Sequence, residues 1–214
     1  MKKIDWVLLG IITAMLLTGA IIYPKLPEQV PMHWNAAGEI DGFGSPLAGA
    51  FGIPLLTLGI FILLLVTPSI DPRRENYAKF SGVYNLLKVF LVLFMAFLYA
   101  VTLLAAFNRQ VKIGLFVKFA LGLLFIFLGN YFGKIRHNYF FGIRTPWTLA
   151  NETVWNKTHR LAGPLWVIAG LVSLIVAFID HPVTFWIFMG CMMIAAIIPT
   201  VYSYLLYRRI KQIS

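Results

Sequence analysis

The sequence predicts an all-α fold: a polytopic membrane protein, a bundle of six transmembrane helices with an extracellular cap loop and a cytoplasmic amphipathic segment. The hydrophobic share is 60% and the charged share only 12%, against roughly 45–50% and about 25% in soluble domains. Six apolar runs each come near the ~20 residues that cross a hydrocarbon layer as a helix, the conformation that satisfies its own backbone there. The cations are spread unevenly over the connections between those runs.

The runs cover residues 4–23, 47–67, 82–106, 113–132, 163–180 and 184–207. The first, behind Lys2 and Lys3 and ending at a cleavage-like "LTGA", is also where a secretory signal would stand. Its apolar length exceeds the ~7–15 residues of a signal core, so it is read as an uncleaved span. Pro54 and Pro199 fall inside runs, which membrane helices tolerate. With no repeat or low-complexity tract, residues 1–214 are read as a single six-span membrane domain. Its two notable connections are an outer cap loop at 24–46 and a cytoplasmic signature loop at 133–162. The single cysteine, Cys191, excludes an internal disulfide and a CxxC motif, and is read as a small buried apolar residue.

Lys and Arg near span ends are retained on the cytoplasmic side. An inner N-terminus places thirteen of them inside: Lys2, Lys3, Arg73, Arg74, Lys79, Lys134, Arg136, Arg144, Lys157, Arg160, Arg208, Arg209 and Lys211. Only Lys25, Arg109 and Lys112 fall outside, and Lys88 and Lys118 lie within spans near their ends, from where they reach the headgroups. Both termini are therefore expected in the cytoplasm. The net charge of +10 follows from this asymmetry and suits anionic membrane lipids. No nucleic-acid binding is needed to explain it.

The outer connection reads "YPKLPEQVPMHWNAAGEIDGFGSP", residues 23–46. Pro24, Pro27 and Pro31 favour an extended exit from the membrane, and "NAAG" and "DG" supply turns. The expected result is a compact cap with Trp34 and Phe43 at the interface, Glu28, Glu39 and Asp41 in solvent, and a net charge of about −2 with Lys25 as its one cation. Three readings stay open for it: a structural anchor, a recognition surface for something arriving from outside, or a cation site using His33, Asn35, Glu39 and Asp41. Their spacing matches neither a calcium loop nor a zinc motif, and no metal is assigned.

The inner connection, "NYFFGIRTPWTLANETVWNKTHR", is crowded with rings and hydrogen-bonding groups. Gly142 permits a bend, and Thr145 and Pro146 suit the N-cap and first position of a helix. Beyond them Trp147, Ala150, Val154 and Leu161 share one side at helical spacing and Glu152, Asn156 and His159 another, as in an amphipathic surface helix. Glu152 with Arg144 or His159 forms either a fixed polar network or an acid/base pair. Nothing resembling HExxH, GxSxG or a phosphate loop accompanies them, so no enzyme activity, catalytic residue or cofactor is assigned.

"FGIRTPWTLANETVWNKTHRLAG", residues 141–163, resembles the signature of the SdpI family of bacterial membrane proteins through Gly142, Arg144, Thr145, Pro146, Trp147, Thr148, Glu152, Trp155 and His159. "LPEQVPMHWNAAGEIDGFGSP" separately resembles DUF1648, a small domain with the pattern LP..VP.HWN..G..DG that often precedes the SdpI-type region. The resemblance implies an immunity protein in the bacterial cell membrane, protecting its own cell against a secreted antimicrobial peptide toxin. The toxin would meet the cap at His33, Trp34, Asn35, Gly38, Asp41 and Gly42. The inner signature residues would then dock a partner, such as a cytosolic transcription regulator, and signal the binding.

Two other classes compete with this one. A small-molecule or ion transporter would call for ionisable residues deep in the spans, where the runs have essentially none; Asp5, Lys88, Lys118 and Asp180 sit near ends, as do Asn85 and Asn130. A membrane enzyme would need Glu152 and His159 to face a cavity.

Overall fold

The computed structural model describes residues 2–36, 39–108, 111–179 and 181–213. Gly38, Arg109 and Asp180, named above, lie outside them. Among the described residues eight α-helices appear in chain order: α1 (Lys3–Ile22), α2 (Pro46–Ile70), α3 (Asn76–Lys79), α4 (Ser81–Phe107), α5 (Ile113–Phe132), α6 (Pro146–Ala150), α7 (Glu152–Ala177) and α8 (Val183–Ile213). Six helices are long and apolar enough to span a membrane. The expected all-α, six-span, multi-pass membrane architecture is borne out.

Local chemistry sets the ends. The Asp5 carboxylate accepts the Lys2 N–H at 2.7 Å and so satisfies a donor that α1 leaves over. Pro24 lies in a 3₁₀ turn, Tyr23–Lys25, that stops the helix. Ser45 Oγ accepts the Ala48 N–H at 3.3 Å ahead of Pro46, and Asp71-Pro72 follows the last turn of α2.

Between α1 and α2 the chain forms two strands, where the sequence predicts an extended exit from the membrane followed by turns. β1 (Val30–Trp34) pairs antiparallel with β2 (Ile40–Gly44), with Val30 opposite Gly44 and Trp34 opposite Ile40 and register shifts around His33. Two strands alone are marginal in water. This pair is moored by Val30, which is fully buried against the start of α2, where a Cβ on Gly49 would lie 2.8 Å from its Cγ1. Trp34 packs on the cluster of Val101, Ala105 and Ile113.

The chain divides into two compact units. One comprises Met1–Leu65, Asn85–Ala120 and Ala177–Phe185. Its core joins Leu8 and Ile12 of α1 to Phe61 of α2 and Val92 of α4. Tyr99 donates to the Ala50 carbonyl at 2.9 Å, beside Gly19, where a side chain would strike that same oxygen. Lys88 corrects the sequence reading. Instead of reaching the headgroups it is 4% exposed and paired with Asp5, itself 2% exposed. In a dry setting the ammonium and carboxylate neutralise each other, and packing holds them close enough to do so. Lys118 also turns inward, donating to Thr184 Oγ1 at 2.9 Å.

The other unit comprises Val66–Tyr84, Leu121–Val176 and Trp186–Ser214. Here α5 and α7 meet backbone to backbone at two glycine pairs. A Cβ on Gly129 would lie 2.6 Å from the Gly163 carbonyl oxygen, and one on Gly170 2.6 Å from that of Gly122. Such close approach suits membrane helices, which associate by packing without a hydrophobic drive. Trp166 stacks on Phe125 at 4.4 Å and donates to the Ala195 carbonyl at 3.0 Å, tying α8 to the pair.

Gly129→Ala is expected to destabilise by ~1–3 kcal/mol through overpacking. Gly10→Ala, at a site open on all sides, is expected to be neutral or slightly stabilising. Thermal unfolding in detergent separates the two, and equal midpoints would remove the packing argument. Lys88→Met, which strands a buried carboxylate, is expected to cost about 3–5 kcal/mol, with most of it recovered in the Asp5→Asn/Lys88→Met double variant. The same unfolding assay reads that cycle.

Candidate functional site

The β1–β2 turn is closed by reciprocal bonds. The Asn35 backbone N–H donates to the Glu39 carbonyl at 2.9 Å, the Glu39 N–H to Asn35 Oδ1 at 3.0 Å, and Asn35 Nδ2 to Glu39 Oε2 at 3.0 Å. Gly38, expected at this site, lies outside the described residues. Behind these bonds His33 Nδ1 meets Asp41 Oδ1 at 2.5 Å, with side chains 72% and 41% exposed. Gly42 faces His33 so closely that a Cβ would lie 2.8 Å from the His33 Cβ. His33, Asn35, Asp41 and Gly42 thus converge on one ribbon, while Trp34 is half-buried against Val101, Ala105 and Ile113. Glu28, Glu39 and Asp41 are exposed as expected. Among the described residues no three His, Cys, Asp or Glu side chains come together as metal ligands.

The connection after α5 forms a second, buried cluster around Trp155, a residue with no exposed surface. Thr145 caps α6 by accepting the Thr148 N–H at 3.1 Å, Thr148 Oγ1 accepts the Thr145 N–H at 2.9 Å, and Pro146 takes the first helical position. This start is as the sequence predicts, but the long amphipathic helix is not. Asn151 adopts an extended backbone that ends α6 after one turn, and α7 begins at Glu152. It then runs unbroken into the fifth span through Pro164, so that span starts well before residue 163.

The change of helix re-sorts the faces. Val154, Trp155, Thr158 and His159 are buried while Glu152 and Asn156 are exposed, so the expected polar side with Glu152, Asn156 and His159 does not form. The Trp155 indole donates to the Ile135 carbonyl at 2.9 Å, and both His137 and His159 stack on its ring, at centroid distances of 4.9 and 4.1 Å. His159 Nε2 accepts the Ile143 N–H at 2.9 Å, so Nδ1 carries the proton and donates to the Trp155 carbonyl at 2.9 Å. Both nitrogens serve the backbone, an arrangement that positions the ring and leaves it no proton to exchange with a substrate. Gly142 sits against the same ring at a φ of +104°, the one backbone position in the cluster that only glycine adopts readily.

The remaining signature residues surround this core. Arg144 is exposed and donates to the Tyr139 carbonyl at 3.0 Å; neither Glu152 nor His159 is its hydrogen-bond partner. Trp147 packs on Tyr204 at 4.9 Å, and Thr145 Oγ1 meets Ser203 Oγ at 3.0 Å, so α8 closes over the loop.

Sequence reading missed the contribution of the connection between α2 and α4. Asp71 Oδ1 accepts the Arg73 N–H at 2.7 Å, and its Oδ2 accepts both the Tyr77 hydroxyl and the Tyr139 N–H at 2.9 Å. Burial, together with the hydrogen bond to Asp71, raises the Tyr77 pKa, so the phenol stays a donor. Arg73 donates to His137 Nδ1, and Asn76 to the His137 carbonyl at 2.8 Å. Burial first and then the Arg73 guanidinium lower the His137 pKa, keeping the ring neutral as an acceptor. Asn138 Oδ1 accepts the Phe140 and Phe141 N–H groups at 2.9 and 2.6 Å. The only signal in sequence was the density of polar side chains in "DPRRENY" and "RHNY", which says nothing of pairing across about 65 residues.

Gly142→Ala is expected to destabilise by ~1–3 kcal/mol, because the left-handed backbone is strained for alanine and its methyl displaces the His159 ring. The thermal midpoint measures the loss, and faster tryptic cleavage at Arg136 or Arg144 in membranes reports opening of the loop.

Comparisons agree with both motifs. Residues 134–203 match the SdpI/YfhL protein family and residues 10–58 match a domain of unknown function, DUF1648. The chain is 29% identical over 202 residues to a protein named Immunity protein SdpI from Bacillus subtilis (strain 168), which covers 94% of each chain. No solved structure matches. The segment holding the Trp155 cluster and its α8 partners thus matches the SdpI/YfhL family, and the segment that carries the β1–β2 ribbon matches DUF1648.

Proposed function

We propose that this is a membrane immunity protein that protects the cell making it against a secreted antimicrobial peptide toxin, which it binds at the membrane through the β1–β2 cap. The observation that carries the reading is the extent of the likeness to the Bacillus subtilis immunity protein, which spans nearly the whole of both chains and takes in ribbon and Trp155 cluster alike. Cation asymmetry supports cytoplasmic termini, with the ribbon outside and the Trp155 cluster inside. His33, Trp34, Asn35, Gly38, Asp41 and Gly42 are the toxin-facing set. Gly142, Arg144, Thr145, Pro146, Trp147, Thr148, Glu152, Trp155 and His159 build the inner platform, whose exposed Arg144 and Glu152 are offered to a cytosolic regulator.

Transport and catalysis have less support. Asp5 and Lys88 are ionisable and buried within spans, but each is the other's partner. His159 spends both nitrogens on the backbone.

Expression in a sensitive bacterium is expected to raise survival against Sdp-type secreted peptide toxins relative to empty vector. Trp34→Ala and Asp41→Ala, at unchanged membrane abundance, should each lower the tolerated toxin concentration on the order of tenfold or more, as loss of a binding hot spot does. Undiminished protection by both variants would remove the cap from the binding role. No protection by the unmodified protein in the membrane would overturn immunity itself.

A further inference from the structure

We propose a lipid site at the crossing of α5 and α7: the headgroup of an anionic phospholipid rests on Asn130, Lys134, Lys157 and Arg160, and one acyl chain runs along the exposed face of α7.

The crossing brings these residues to one level. Gly129 of α5 meets Gly163 of α7 backbone to backbone. Toward the end of α5 the Phe132 ring stands edge-on to His159 at 5.8 Å, and the Ile135 carbonyl accepts from the Trp155 indole at 2.9 Å. The turn after α5, closed by the Lys134 N–H on the Tyr131 carbonyl at 2.9 Å, is thereby held level with the opening turns of α7. The two flanks of the crossing differ. Phe125, Phe132 and Trp166 pack together on one, where Trp166 reaches α8. At about 100° per residue, Asn130 on α5 and Arg160 on α7 point to the other, and both are exposed.

The exposed face of α7 changes character along its length. Lys157 and Arg160 begin it, and Pro164, Ile168, Leu171 and Ile175 continue it at spacings of three and four residues, every one of them exposed. Cations that give way to an apolar stripe match the two parts of a phospholipid, its phosphate and its chain. The polar end selects a negative charge. None of the three cations has a carboxylate partner among the described residues. Lys134 Nζ lies 5.0 Å over the Tyr131 ring, the company a lysine keeps at headgroup depth. The exposed Asn130 amide adds two N–H donors one helical turn away from Lys134.

The test titrates the full-length protein in dodecyl maltoside micelles with phosphatidylglycerol, or with phosphatidylcholine of the same chains, and reads bound lipid by native mass spectrometry. Saturable binding of phosphatidylglycerol is expected, on the order of tenfold tighter than that of phosphatidylcholine. Lys157→Gln/Arg160→Gln, at two exposed positions, should keep the lipid-free thermal midpoint and lose affinity on the order of tenfold or more. Lys134→Gln, in the turn outside both helices, should lose it severalfold. Arg208→Gln/Arg209→Gln removes the same charge from the end of α8 and should leave binding unchanged. Glycerol phosphate in large excess should not displace the lipid, because it has no chain for the apolar stripe to hold. Equal binding of the two lipids would overturn the proposal. Equal losses in the α7 and α8 double variants would also overturn it, leaving a general basic surface in place of a site. Displacement by glycerol phosphate would overturn the lipid in favour of a free phosphate ligand.

Discussion

The unit that holds α6 and α7 depends on Trp155 being wholly buried with its indole N–H satisfied. An indole removes roughly 150–250 Å² from solvent, but its N–H must find an acceptor or burial costs free energy. The Ile135 carbonyl provides it, which draws the chain after α5 back onto α7. Once that loop is fixed, His137 and His159 stack on the ring, and each histidine binds a further segment. His159 holds the backbone at Ile143; His137 holds Arg73 and Asn76. Three stretches of chain therefore share one polar core at the ends of apolar helices. Neutral rings with defined donors and acceptors suit this place, because an imidazolium without a counter-charge would be costly there.

The β1–β2 ribbon solves the opposite problem. A segment of about twenty residues has too small a core to fold by itself. It borrows one instead, through Val30 on Gly49 and Trp34 on the Val101 cluster, and leaves its polar side chains to solvent. Buried groups fix this element while its polar ones stay in solvent, whereas in the Trp155 cluster most signature side chains are consumed in holding the loop.

Legibility in sequence followed the same division. The spans were legible because an apolar run long enough to cross a bilayer has few other stable forms, and α1, α2, α4, α5 and α8 start close to where composition places them. The helix start at Thr145-Pro146 was legible because it is local chemistry. What depends on distant partners was not. Helical spacing put His159 beside Glu152 and Asn156, yet the break at Asn151 and the pull of Ile143 bury His159 with Trp155. Lys88 reads as a headgroup seeker until Asp5, 83 residues earlier, is seen beside it. The strands escaped notice because β1 and β2 have five residues each, hold a proline and two glycines, and lack clear alternation.

A bilayer-spanning chain faces a restriction that explains where its polar residues went. Every polar side chain within the hydrocarbon layer needs a partner from the protein, and lipid supplies none. In the spans this chain meets that demand sparingly, with Asp5–Lys88, Lys118–Thr184 and hydroxyls returned to their own helix, as Thr57 to the Ile53 carbonyl at 2.7 Å. The rest of the polar inventory is gathered at connections, where polar groups can pair at less cost. Change at the connections can therefore leave the spans intact.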